Sequence, residues 1–249
     1  GVQTCALPIS ATVGALVSKG YNPGGAGVSF AQSRTYSFDA ETLWNYELFG
    51  RASLLGGRML LTGNVFFSDL RHSQRLLPDY LNGRLYGAVV VNADRARARG
   101  LEVSADWQAN ARWRLKAALG LLHTRISRFQ ATGGQLLQGN EFGRAPRHTL
   151  SLGAEWTPAP GLNLALDARH TARFHSADDN LPGYEVGGHT VINARASWQI
   201  NRHVQLFAWV NNLADRVLPI WMHDDRTAGG IVSSMMPPRQ IGVGVKAEF

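Results

Sequence analysis

The amino-acid sequence predicts an all-β chain: antiparallel strands of an up-and-down transmembrane β-barrel, with short periplasmic turns and long extracellular loops. Three observations predict it. Apolar and polar residues alternate with a period of two along many segments, the connections between those segments are alternately short and long, and tryptophans gather beside the short ones. A barrel strand crosses a bilayer with about 9 to 11 residues, alternately lipid-facing and lumen-facing. A composition of 45% hydrophobic residues with 27 Gly and 10 Pro is therefore compatible with a membrane protein. No stretch approaches the roughly 18 uninterrupted apolar residues of a membrane helix.

Residues 1–10, GVQTCALPIS, resemble the translation of a common short-read sequencing adapter and are read as a non-native segment. The only cysteine, Cys5, lies inside it, so no redox inference is drawn. Strands are then expected near 11–20, 41–53, 58–71, 97–108, 112–127, 147–157, 161–173, 189–200 and 204–213, with a tenth closing the chain. Leu150, Leu152, Ala154 and Trp156 oppose Thr149, Ser151, Gly153 and Glu155, and Ile192, Ala194, Ala196 and Trp198 oppose Asn193, Arg195, Ser197 and Gln199. Each such strand has one apolar and one polar face. The closing strand does the same, with Ile241, Val243, Val245, Ala247 and Phe249 on one parity.

Tight turns carry breaker residues at 55–58, 108–111, 157–161 and 201–203, and long polar segments run through 21–40, 72–96, 128–146, 174–188 and 214–237. If the last strand descends to the periplasm, every short turn falls on the periplasmic side. Trp107, Trp113, Trp156 and Trp198 then lie near those turns and Phe249 at the same level, a periplasmic aromatic girdle. Arg95, Arg97 and Arg99 share the parity of Leu101 and Val103, the lipid-facing one. An outward Arg costs about 2–4 kcal/mol at the bilayer midplane and about 0–1 near the interface. Either these arginines lie above the hydrocarbon or a bulge flips them inward; the first is expected, with the strand projecting beyond the bilayer to where lipid phosphates can meet them.

A net charge of +7 favours an anionic partner, but the basic residues are scattered and no nucleic-acid-binding motif is present, so nucleic acid is set aside. Catalytic and phosphate-binding motifs are missing too, and no enzyme activity or cofactor is expected. Two clusters could in principle ligate a metal: His170 to His175 with Asp178 and Asp179, and His223 with Asp224 and Asp225. Both fall in or beside expected loops, where polar residues are common, and no metal site is assigned.

An ordered set of motifs runs from about residue 11 to the end. It comprises Gly20-Tyr-Asn-Pro-Gly-Gly25, Tyr46-Glu-Leu48, Val65-Phe-Phe-Ser-Asp69 with Gln74, Asn92-Ala-Asp-Arg-Ala-Arg-Ala-Arg-Gly-Leu-Glu-Val103, Gly139-Asn140 with Ala145-Pro146-Arg147, Asn211-Asn-Leu-Ala-Asp215, and Pro238-Arg239 ahead of the terminal strand. Taken together they resemble the C-terminal part of a TonB-dependent outer-membrane receptor. One departure is that Phe49 precedes Gly50 where the family has glycine first, which leaves the facing of that strand open.

The resemblance implies about the last ten strands of a 22-stranded, plugged barrel in the outer membrane of a Gram-negative bacterium. The plug and the earlier strands are read as absent from residues 11–249. It also implies active import of a scarce nutrient, foremost a ferric siderophore, with energy from the TonB complex delivered through the plug. Lipid and lipopolysaccharide would surround the barrel, and the terminal strand, Ile241 to Phe249, would be read by the barrel-assembly machinery. Arginines and aromatic residues suit an anionic iron chelate, making Arg144, Arg147, Arg169, Arg173, Tyr36, Tyr80 and Tyr86 the candidate ligand contacts. A passive porin-like barrel and a soluble β-sandwich are the alternative readings.

Overall fold

The structure, a computed structural model, describes residues 10–129 and 137–248. In chain order its strands are β1 (Ala11–Asn22), β2 (Gly25–Ser29), β3 (Arg34–Phe38), β4 (Glu41–Leu54), β5 (Met59–Leu81), β6 (Arg84–Gln108), β7 (Trp113–Arg128) and β8 (His148–Ala159). There follow β9 (Leu162–Thr171), β10 (Phe174–His175), β11 (Glu185–Val186), β12 (His189–Gln199), β13 (Val204–Asn211), β14 (Pro219–Asp225), β15 (Gly230–Met235) and β16 (Gln240–Ala247). Ten of them form one open sheet in the order β1-β4-β5-β6-β7-β8-β9-β12-β13-β16, each antiparallel to its neighbours. The sheet has the expected ten strands and meander connectivity.

The register carries one parity across the sheet as a continuous face. Ala15, Leu48, Val65, Leu101 and Leu121 form one cross-strand row, and Val13, Gly50, Gly63, Val103, Leu119 and Leu150 the next. Val13 and Val243 are 83% and 81% exposed on this face, far too apolar and extensive a surface to be left to water. It is the outer, lipid-facing side. Trp107, Trp113, Trp156 and Trp198 lie on it at the short-turn end, where Trp113 and Trp156 stack with their ring centroids 5.5 Å apart. The opposite face is laced by polar pairs: Thr62 with Ser104 at 2.6 Å, Asn64 to Glu47 at 3.0 Å, Ser68 to Asn45 at 2.8 Å, and Lys116 to Glu155 at 2.5 Å.

Several glycines of the inner face lie beneath aromatic rings on the neighbouring strand. Phe49 covers Gly14, Phe66 covers Gly100, Trp209 covers Gly242 and Phe207 covers Gly244, each ring occupying the space a Cβ would need. Glycine weakens a strand by leaving its backbone bare, and a ring laid across it restores the packing. This settles how β4 faces: Tyr46 and Leu48 point outward and Phe49 inward. On β16, Ile241, Val243 and Val245 point outward, in register with Val210, Ala208 and Leu206 of β13. Phe249 lies outside the described residues, as do residues 1–9 of the segment read as non-native.

The expected loops contain more structure than their polarity indicates. The segment 72–96 is largely strand, because β5 and β6 continue upward as one hairpin. The segments 21–40, 174–188 and 214–237 carry the hairpins β2/β3, β10/β11 and β14/β15. No helix among the described residues is long and apolar enough to cross a membrane, which says nothing of a barrel that crosses with strands.

Candidate ligand-capture surface

The tall β5/β6 hairpin organises the loop end of the sheet. At His72 the backbone enters the left-handed region, with φ 50°, and the ladder skips from the Arg71–Arg95 pair to Ser73–Ala93. The side-chain alternation reverses there. Below the kink the even-numbered Ala96 and Ala98 of β6 face inward, whereas above it the odd-numbered Ala93, Val91 and Val89 do. Leu77 and Ala93 thereby meet the inward Ile126 of β7 and Leu137, all four buried, with Phe129 and Phe142 packed against them. This small apolar core lies on the inner face of the wall and anchors the loops above the lumen.

On one side the β2/β3 hairpin docks against it. The Asp79 carboxylate accepts from Ser29 Oγ at 3.0 Å and from the Ala31 N–H at 3.1 Å, while the Val90 N–H donates to the Tyr36 hydroxyl at 3.0 Å. Asn92 Oδ1 takes the Asp39 N–H at 2.7 Å. A cavity of about 700 Å³ remains between hairpin and wall, with Gln32, Arg34, Tyr36 and Asn92 supplying polar groups and Leu77 and Phe129 an apolar floor. It is large enough for a small-molecule ligand.

On the other side the loops of 137–147 and 174–188 are locked together. Arg75 Nε and Nη2 donate to the two Asp178 oxygens at 2.6 and 3.0 Å, and its guanidinium lies 3.8 Å from the Phe142 ring centroid. Asp178 Oδ1 also accepts the Gly143 N–H at 2.6 Å, and Asn180 bridges to Glu141 through both backbone groups. β14 closes over this unit, the Met222 N–H donating to Ser176 Oγ and the Asp224 N–H to the Tyr80 hydroxyl. Burial pushes the Asp179 carboxyl above the ordinary carboxylate range, and the neighbouring Asp178 charge adds to the rise.

The structure distributes the seven expected contacts among several settings. Tyr36 and Tyr80 both line the cavity, together with Asp79 and with Arg34, which the sequence reading missed. The Tyr80 hydroxyl also accepts the Asp224 N–H and so links the cavity to the second group, where the Arg144 guanidinium lies 5.5 Å from the Trp221 ring. Arg147 is paired with Glu141 and Arg173 with Glu185. Tyr86 stands exposed near Arg84 on the tall hairpin, and Arg169 lies lower on the inner wall, opposite Val191 and Ser151. Arg34 carries no motif that would mark it; only the folded β2/β3 hairpin brings it beside Tyr36.

Among the described residues no three metal-ligating side chains converge. His170 faces outward, stacked on His148 at 5.6 Å and bonded to Thr190 Oγ1, while His175 lies by Glu185. Asp225 caps a short 3-10 turn through the Thr227 and Ala228 N–H groups, and Asp224 pairs with Arg226.

A family model described as "TonB dependent receptor-like, beta-barrel" matches residues 12–213. The chain belongs to this family. Members are β-barrel receptors of the Gram-negative outer membrane, and the apolar outer face described above is the part that meets lipid. Among solved structures, the ferric yersiniabactin uptake receptor FyuA from Yersinia pestis superposes with a TM-score of 0.78 at 21% identity, covering 98% of this chain and 36% of that one. The siderophore receptor PiuA from Acinetobacter baumannii gives 0.73 at 14% identity, covering 96% and 34%. A copper transporter, OprC, gives 0.65 at 15% identity, covering 85% and 32%. The chain thus spans 32–36% of the length of these three proteins, and the likeness is one of fold.

Proposed function

We propose that this chain forms part of the wall and capture surface of a receptor that imports a scarce nutrient, foremost a ferric siderophore, across the outer membrane with energy delivered by TonB. The observation that carries this reading is the cavity under the β2/β3 hairpin, where Arg34, Tyr36, Gln32 and Asn92 converge above an apolar floor. A guanidinium beside a phenol and amides suits an anionic chelate with an apolar or aromatic rim, through charge-assisted hydrogen bonds and stacking. Arg144 beside Trp221 offers a second point of contact. In this reading TonB acts through a plug domain outside the ten-stranded sheet, and β16 is the segment read by the barrel-assembly machinery.

FyuA is a ferric yersiniabactin uptake receptor and PiuA a siderophore receptor, which supports iron chelates as the first ligands to try. The test is uptake of radiolabelled ferric siderophores by cells whose sole iron receptor is a complete barrel that includes this chain, with and without functional TonB. Uptake that requires TonB and a ferric-chelate Kd raised at least tenfold by Arg34→Ala are the expected results. Equal uptake without TonB would mean a passive pore. Failure of a folded receptor to bind any ferric chelate would overturn the iron reading.

A further inference from the structure

The outer face of β5, β6 and β7 changes character within one residue pair. From the short-turn end upward, β6 presents Trp107, Ala105, Val103 and Leu101, then Arg99, Arg97 and Arg95, confirming the outward parity of these three arginines. Their cross-strand partners extend the basic surface: Arg71 of β5 opposite Arg95, Arg125 of β7 opposite Arg97, and Arg128 of β7 opposite Arg95 across a bulge. Six arginines on three adjacent strands therefore share one outward patch. Asp69 is the carboxylate set among them, bound by Arg95 Nε and Nη2 at 2.6 and 2.8 Å and by Arg97 Nε at 3.4 Å, with Asp94 exposed at the border. Among the described residues Arg71, Arg99, Arg125 and Arg128 make no ion pair.

Height places this patch. At about 3.3 Å per residue, Arg99 lies roughly 26 Å along β6 from Trp107, and the tilt of a barrel strand brings that near the top of an apolar band about 25 Å tall. Arg97 stands at its upper edge and Arg95 above it. The outer leaflet that borders the extracellular side is built from lipopolysaccharide, whose phosphates sit at this boundary. Guanidinium forks bind phosphate bidentately. Asp69 uses Nε and Nη2 of Arg95 and leaves Nη1 unengaged by it, so the carboxylate positions the fork rather than neutralising the patch.

We propose that Arg71, Arg95, Arg97, Arg99, Arg125 and Arg128 form a docking site for the phosphates of one lipopolysaccharide molecule, with Asp69 as the residue that orients Arg95 and Arg97. The site lies on the lipid side and is independent of the ligand read for the inner face. The test purifies the receptor from outer membranes in mild detergent and counts bound lipopolysaccharide by native mass spectrometry. The variant Arg71→Gln/Arg99→Gln/Arg125→Gln is compared with a control, Arg112→Gln/Arg202→Gln, altered at the opposite end. Retention at least fivefold lower in the first variant and unchanged in the control is expected. For wild-type receptor, bis-phosphorylated lipid A should bind at least fivefold more tightly than its mono-dephosphorylated form, a comparison that stands even if the variant does not fold. Equal retention by a folded variant, or equal binding of the two lipids, would overturn the proposal.

Discussion

Gly100 lies on the inner face of β6 between the Phe66 ring and the Leu121 carbonyl, and a Cβ there would stand 2.6 Å from each. The ring could swing aside, but Leu121 O is backbone on the neighbouring strand, so relief requires the strands themselves to shift. Overpacking of this kind costs about 1–3 kcal/mol. Gly50 is a useful contrast, since its nearest neighbour to a new Cβ would be Thr12 O at 3.7 Å, an ordinary contact. Gly100→Ala should therefore lower the temperature at which the folded barrel loses its fast mobility on unheated detergent gels, while Gly50→Ala leaves it near wild type. Identical midpoints for both would refute this account of why the position is glycine. The same logic explains why residue pairs such as Gly244 and Phe207 co-occur on facing strands of the inner wall.

Among the loop elements, the Arg75–Asp178 pair is the tie between the tall hairpin and the loop of 174–188, its side chains only 14% and 6% exposed. Deleting one partner of a buried pair leaves an uncompensated charge and costs about 3–5 kcal/mol. Asp178→Ala should thus make the loops of 137–147 and 174–188 markedly more susceptible to protease while the ten strands keep their hydrogen-exchange protection. Asp178→Asn, which keeps an acceptor for the Gly143 N–H, should fall between; wild-type cleavage rates in Asp178→Ala would sink the idea. The wall strands were legible in the sequence because lipid and lumen impose a strict period of two, as at Leu150, Leu152, Ala154 and Trp156. The loop hairpins were not, because no single apolar face is required of a strand such as Arg34–Phe38 that pairs with one partner. Arg75 and Leu77 lie in the segment 72–96, expected as a polar loop, and the left-handed His72 reverses the alternation, so even a strand parity carried up from below would point them outward.

At the scale of the whole molecule, the sheet described here has two edges, β1 beyond β4 and β16 beyond β13, each bonded on one side only. Water can satisfy an open strand edge, but hydrocarbon cannot, and each unpaired backbone group in a bilayer costs several kcal/mol. The outer face of both edge strands is apolar, with Val13 and Val17 on β1 and Val243 and Val245 on β16 more than half exposed, so neither edge is designed for water. Each edge therefore requires another strand to complete a wall, and a lumen enclosed by ten strands in an open sheet cannot hold a diffusion barrier. Cells that make only this 249-residue chain should consequently show no ligand-dependent uptake. They should also release the chain to periplasmic protease rather than retain it as a heat-modifiable outer-membrane species. Ligand-dependent uptake by such cells would show that the edges close on each other or on a second copy, and would overturn the account of the sheet as one part of a larger barrel wall.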